Sequence, residues 1–227
     1  MKLLLLSNSK NYGMDYLEHV RPILADFCSG SELLFLPYAG VTISADEYTS
    51  RVAEKLPDYA VEGVHRQPDP VRAVREAKAI VVGGGNTFRL LGECRRLSLL
   101  EPLRERVRAG IPYIGWSAGS NLACPTIKTT NDMPIVDPGG LEALDLVPFQ
   151  INPHYTDFHD EQHQGETREQ RLEEFLILNP EVDVVGLREG SALRVEDGRV
   201  SLLGPQPARV FRQGREPREN PPGALRI

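Results

Sequence analysis

The chain has 227 residues, a formal net charge of −6 and no Lys/Arg run, a balance that argues against nucleic acid or an anionic membrane surface as its main partner. No stretch approaches the roughly 20 apolar residues that cross a bilayer. The three cysteines, Cys28, Cys94 and Cys124, are widely spaced, with no C-x-x-C pair and no histidine at zinc-site spacing. These features predict a soluble, cytoplasmic protein with buried thiols, one domain over residues 1–227, and neither metal nor cofactor. They carry no signal for oligomeric state.

In chain order, Met1-Lys2-Leu3-Leu4-Leu5-Leu6 turns polar at Ser7-Asn8-Ser9. The apolar run is too short for a signal peptide and predicts a buried first strand. Amphipathic stretches predict helices over residues 14–27, 45–56, 70–77, 87–93 and 101–109, and apolar runs predict strands over 33–36, 80–82, 113–115 and 182–187. This alternation implies an α/β, doubly wound, mostly parallel sheet flanked by helices. Residues 191–203, with Asp197-Gly198 at the centre, predict a C-terminal β-hairpin. Residues 215–227 are rich in proline and charge and are expected on the surface.

Chemistry in such sheets gathers at the carboxyl ends of the strands. There the predicted strand at 113–115 runs into Gly115-Trp116-Ser117-Ala118-Gly119, a G-x-S-x-G pentapeptide followed by helix-like sequence. Flanking glycines permit a sharp turn that exposes the Ser117 hydroxyl and aims the Ala118 N–H at an oxyanion. The bland reading is a tight connection with Ser117 as an N-cap. A serine nucleophile needs a histidine base oriented by a carboxylate. Of His19, His65, His154, His159 and His163, His154 stands out, because Gln150-Ile151-Asn152-Pro153-His154 places it just past a strand. His159 and His163 fall in a charged segment, residues 157–164, that reads as a solvated loop. Asp132 gives the chain order Ser, Asp, His expected after a nucleophile elbow. Asp137, Asp157 and Glu189 compete with it.

A second glycine cluster, Val82-Gly83-Gly84-Gly85-Asn86-Thr87-Phe88, lacks the third glycine of a dinucleotide loop and any Gly-Lys-Ser/Thr. It fits better as bare backbone whose N–H near Gly84 or Gly85 completes an oxyanion hole with Ala118. Residues 165–176 begin like a capped helix, with Thr167 as N-cap and Gln170 three residues on. Arg168, Leu172 and Phe175 share one face. A cation in the first turn opposes the helix dipole, which makes Arg168 a candidate to bind an anionic substrate, against the alternative of a surface ion pair.

Together with Leu3 to Ser9, Ile114-Gly115-Trp116-Ser117-Ala118-Gly119, the Asn121 to Pro138 segment and Gly165-Glu166-Thr167-Arg168-Glu169-Gln170-Arg171, these motifs span nearly the whole chain. The sequence resembles the peptidase E family of aspartyl dipeptidases, related to class I glutamine amidotransferase folds. That resemblance implies a catalytic Ser117, a charge relay through Asp132 and His154, and removal of an N-terminal aspartate from short peptides without metal. Glu189, in Leu187-Arg188-Glu189-Gly190, matches the family's other carboxylate and stays open as the orienting acid. Ser120 and the segment 158–164 depart from the pattern and are expected to bear on substrate preference. Two further readings remain on sequence: cyanophycinase-like hydrolysis of β-aspartyl bonds, and a noncatalytic small-molecule sensor on the same fold. Amidotransferase chemistry is disfavoured, because serine stands where it would use cysteine.

Overall fold

The structure, a computed structural model, describes residues 1–28, 32–159 and 164–227. The strands β1 (Lys2–Leu6), β2 (Glu32–Leu36), β3 (Ala60–Gly63), β4 (Ile80–Val82) and β5 (Tyr113–Trp116) run parallel in the spatial order β1, β5, β4, β2, β3. Next along the chain, β6 (Gln150–Pro153) and β7 (Val184–Leu187) pair in parallel in a separate sheet. The expected hairpin forms from β8 (Ala192–Glu196) and β9 (Arg199–Leu203), with β8 antiparallel to β1. Both turn residues, Asp197 and Gly198, have positive φ, as a tight hairpin turn of this hand requires.

The fold is mixed α/β with a largely parallel central sheet, as the alternation predicts. It also contains what the alternation does not show. A second, four-stranded sheet is built from β6, β7, β10 (Ala208–Phe211) and β11 (Arg218–Asn220), and β12 (Gly223–Leu225) closes the eight-stranded central sheet beside β9. The tail expected only as surface thus supplies two edge strands.

Helices cover both faces of the central sheet because its inner strands are apolar on both sides. Leu3, Leu5, Ile80, Val82 and Tyr113 face one core, and Leu4, Leu6, Val81, Ile114 and Trp116 face the other. On the second face lie α1 (Val20–Phe27), through Val20, Leu24 and Phe27, and α2 (Ala45–Lys55), through Tyr48 and Val52. On the first lie α3 (Pro70–Glu76), α4 (Thr87–Arg96), α5 (Leu100–Arg108) and α6 (Ala118–Leu122). The first helix starts six residues later than the pattern from Met14 suggests, because Leu17 takes φ +59° and its N–H turns to the Ser9 carbonyl. The second sheet shares the first core through Ile151, Val185 and Leu187, and its other face is covered by α7 (Arg168–Leu178) through Leu172 and Leu176. Among the described residues, no helix is long and apolar enough to cross a membrane.

Candidate active site

Ser117 follows β5 with φ +52° and ψ −111°, a conformation a side-chain-bearing residue rarely adopts. The turn is so tight that a Cβ at Gly115 would sit 2.5 Å from the Gly119 carbonyl oxygen, and one at Gly119 would sit 2.3 Å from that of Val82. Neither position admits another residue, so the pentapeptide glycines are dictated by geometry. Ser120 lies buried beneath the turn, where its hydroxyl reaches the Leu6 carbonyl at 2.7 Å and the Gly115 carbonyl at 3.0 Å. From there it braces the backbone of the elbow.

His154 Nε2 lies 3.0 Å from Ser117 Oγ, and His154 Nδ1 lies 2.7 Å from Glu189 Oε1. An ionised carboxylate only accepts, so Nδ1 donates to Glu189, and in a neutral ring Nε2 is left to accept the serine proton. The carboxylate beside His154 is Glu189, and the expected pairing with Asp132 does not form. Asp132 Oδ2 instead accepts from Thr87 N at 2.7 Å, Thr87 Oγ1 at 2.6 Å and Thr130 Oγ1 at 3.1 Å. Thr87 N is an orphan donor at the start of α4, where a negative charge is favourable, and that is what holds Asp132. The other competitors are also engaged elsewhere: Asp137 accepts from Gly139 N, and Asp157 pairs with Arg188. His65 pairs with Asp46, and His163 lies outside the described residues, as do residues 160–162 of the expected loop.

The glycine cluster runs alongside the elbow. A Cβ at Gly84 would sit 3.1 Å from Ser117 Cβ, and Gly85 takes φ +137°, so bare backbone borders the serine. Gly83 N donates to the Leu36 carbonyl and Asn86 N to that of Ala39, which pins both ends of the turn. Among the described residues, the N–H groups of Gly85 and Ala118 make no backbone–backbone hydrogen bond.

The model of a protein family described as "Peptidase family S51" matches residues 3–203. The chain belongs to this family and is a peptidase. It is 53% identical over 219 residues, 95% of its length and 96% of the other's, to a protein named "Peptidase E" from Salmonella typhimurium strain LT2. Among solved structures, it resembles a putative peptidase E protein from Listeria monocytogenes EGD-e, with a TM-score of 0.66, 25% identity, and coverage of 89% of this chain and 98% of that one. A peptidase from an acI-B1 Actinobacterium shares the fold, with a TM-score of 0.69 at 16% identity over 100% of this chain and 96% of that one.

In this S51 peptidase the seventh helix begins as expected, with a full capping box between Thr167 and Gln170. Arg168, at its first position, is half-buried and donates to Asn131 Oδ1. Asn131 Nδ2 in turn donates to the Pro153 carbonyl at 2.6 Å, directly before His154. Burial, and then the neighbouring Arg171, pull the Arg168 guanidinium below the usual arginine range, and among the described residues no carboxylate lies within ion-pair distance of it. Arg168 is thus a desolvated cation at the rim, without a counter-charge from the described part of the chain.

Sequence reasoning missed the residues that hold the histidine. Ser7 Oγ donates to the Leu187 carbonyl at 2.8 Å and accepts from His154 N at 2.9 Å, and Asn8 Oδ1 accepts from Gly190 N at 2.9 Å. The available signal was the abrupt change from four leucines to Ser7-Asn8 at the end of β1, where buried polar groups must have partners.

Proposed function

We propose that this S51 peptidase, a serine dipeptidase, hydrolyses the bond after an N-terminal aspartate in short peptides, with Ser117 as nucleophile, His154 as base and Glu189 as the orienting acid. The observation that carries this reading is the chain Ser117 Oγ, His154 Nε2, His154 Nδ1, Glu189 Oε1, with links of 3.0 and 2.7 Å at the open end of the elbow. On this reading His154 takes the Ser117 proton as Oγ attacks the scissile carbonyl, and the N–H groups of Ala118 and of Gly84 or Gly85 stabilise the oxyanion. His154 then hands the proton to the departing amine, leaving an acyl-enzyme that water hydrolyses by the same route in reverse. Arg168 holds the β-carboxylate. A half-buried cation without a counter-charge among the described residues favours an anionic side chain and penalises its neutral amide.

We further place the enzyme in the cytoplasm. Cys94 and Cys124 are buried and in no disulfide, as is usual where thiols are kept reduced.

Kinetics on a dipeptide panel, with Arg168→Met alongside, tests the reading. Asp-Leu is expected to be cleaved, and Asn-Leu, Glu-Leu and N-acetyl-Asp-Leu each at least about tenfold more slowly, the cost of one unpaired or displaced charged group. Arg168→Met is expected to slow Asp-Leu and narrow its lead over Asn-Leu. A variant that keeps the full preference for aspartate removes Arg168 from the role, and a wild-type preference for β-aspartyl-leucine moves the enzyme to isopeptide bonds.

A further inference from the structure

The turn at Gly83, Gly84 and Gly85 has the freedom to present its central peptide either way round. Glycine on both sides removes the Cβ contacts that would bias the choice, and the bond between Gly84 and Gly85 is trans, so its C=O and N–H point in opposite directions. If the carbonyl faced Ser117, the turn would repel an oxyanion; with the N–H facing it, the turn attracts one. Something outside the turn must select between the two.

Tyr48, on α2 and buried, donates its hydroxyl to the Gly84 carbonyl at 2.9 Å. The oxygen of that hydroxyl accepts from Trp116 Nε1 at 3.2 Å, and Tyr16 Oη lies 3.5 Å away on the donor side. The hydroxyl hydrogen is what Tyr48 offers the turn, and a hydrogen selects a carbonyl over an N–H. The ring is held against Phe35, edge to face, with centroids 5.0 Å apart. Gly83 must also be bare for this contact, since a Cβ there would sit 2.7 Å from the Tyr48 oxygen. Burial raises the Tyr48 hydroxyl above the usual tyrosine range, so it stays a donor at any working pH.

We propose that Tyr48 is a positioning residue for the reaction: by holding the Gly84 carbonyl on the core side, it keeps the Gly85 N–H turned toward the oxygen of the reacting carbonyl. Trp116, the residue before the nucleophile, donates its indole N–H to the Tyr48 oxygen and so helps hold that hydroxyl in place. The inference rests on reading the glycine turn as part of the oxyanion hole.

The test is Tyr48→Phe, assayed on Asp-Leu and with two inhibitors, the α-aldehyde of aspartic acid, which forms a tetrahedral adduct on Ser117, and free aspartate, which does not. Deleting an oxyanion donor outright costs about 10²- to 10³-fold in kcat; loosening one that remains present is expected to cost about tenfold. The expected result is that loss in kcat, with KM and aspartate inhibition within about twofold of wild type and aldehyde affinity reduced in step with kcat. Tyr16→Phe, which leaves the bond to Gly84 intact, is expected to match wild type. Thermal melts confirm that each variant is folded at the assay temperature. If Tyr48→Phe is not, Trp116→Phe replaces it and is expected to move the same two quantities in the same direction. An active wild type together with a folded variant whose kcat and aldehyde affinity are unchanged, or whose loss lies in KM and aspartate affinity, overturns the role of Tyr48 alone. A wild type inactive on Asp-Leu overturns the dipeptidase reading beneath it.

Discussion

Glu189→Gln is the substitution that separates the two candidate acids. At about 4 Å between charge centres, a carboxylate stabilises an imidazolium by about 1 kcal/mol in bulk water and about 4 kcal/mol at an effective dielectric of 20. The Glu189 side chain is 57% exposed and that of His154 40%, so the pair sits between these limits. At about 1.4 kcal/mol per factor of ten, losing the charge is expected to lower kcat by roughly fivefold to 10³-fold. KM should change little, because the imidazolium forms only as the reaction proceeds.

Asp132→Asn is expected to behave differently. Its carboxylate caps α4 through Thr87, so the main loss is a favourable charge at a helix N-terminus, about 0.3–1 kcal/mol of stability. In a chain of this size that lowers Tm by about 1–4 °C. Its kcat should stay within about threefold of wild type, since asparagine still accepts from Thr87 N. The assay is kcat and KM on Asp-Leu at neutral pH, with a melt of each variant. A larger kcat loss for Asp132→Asn than for Glu189→Gln, at unchanged Tm, would return the orienting role to Asp132 and refute the assignment made from distances.

Ser117→Ala and His154→Ala should each remove nearly all turnover, and the double variant should be no slower than either, because nucleophile and base act as a unit; a much slower double variant counts against their cooperation. Arg188, next to Glu189, binds Glu219 through two bonds of 2.9 Å and Asp157 at 3.0 Å, and it holds both carboxyls below the usual range. A depressed carboxyl stabilises the fold fully above its unfolded value and loses that contribution as pH falls through its folded one, so the Tm gap between wild type and Glu219→Gln should hold from neutral pH down to about 5 and close below about 4; a gap that widens in acid contradicts this. Among the described residues no group of three or more His, Cys, Asp or Glu gathers as a metal site needs, so EDTA should leave turnover unchanged, and an activity lost to EDTA and restored by zinc would sink the serine mechanism.

What the sequence revealed follows from where each element is buried. β1, β2, β4 and β5 are apolar on both faces, and such strands read as uninterrupted runs. β3, Ala-Val-Glu-Gly at the sheet edge, has only Gly63 buried and gives no run. β11, Arg-Glu-Asn, has no buried residue, and its pairing with β10 rests on backbone groups that composition does not record. Ser117 and His154 were legible because local geometry demands glycine around one and strand-plus-proline before the other. The acid was not. Asp132 and Glu189 both lie in polar turns, and the choice between them depends on β6 and β7 pairing in parallel, which brings the ends of two strands far apart in sequence together and sets Glu189 beside His154. Arg168 was legible as a cation on a buried face, but its link to Asn131 was not, for the same reason.

The proposed nucleophile and base belong to different sheets, so their 3.0 Å contact depends on the docking of one sheet on the other. Apolar packing through Ile151, Val185 and Leu187 supplies attraction without direction. Direction comes from polar side chains: Ser7 to Leu187 and His154, Asn8 to Gly190, and Asn121 Nδ2 to the Ile151 carbonyl at 2.8 Å. Both residues that must meet have positive φ, +52° at Ser117 and +53° at His154. Each such position costs on the order of 1–3 kcal/mol and persists only where its surroundings hold it. Ser117 N is held by the Leu6 carbonyl at 3.0 Å and His154 N by the Ser7 hydroxyl at 2.9 Å. Two consecutive residues at the end of β1 therefore anchor both strained backbones, and the hydroxyl at the second accepts from His154 while donating to Leu187, which an apolar side chain cannot do. A fifth leucine would satisfy the core and release the histidine, which gives the leucine run a physical reason to stop at Ser7.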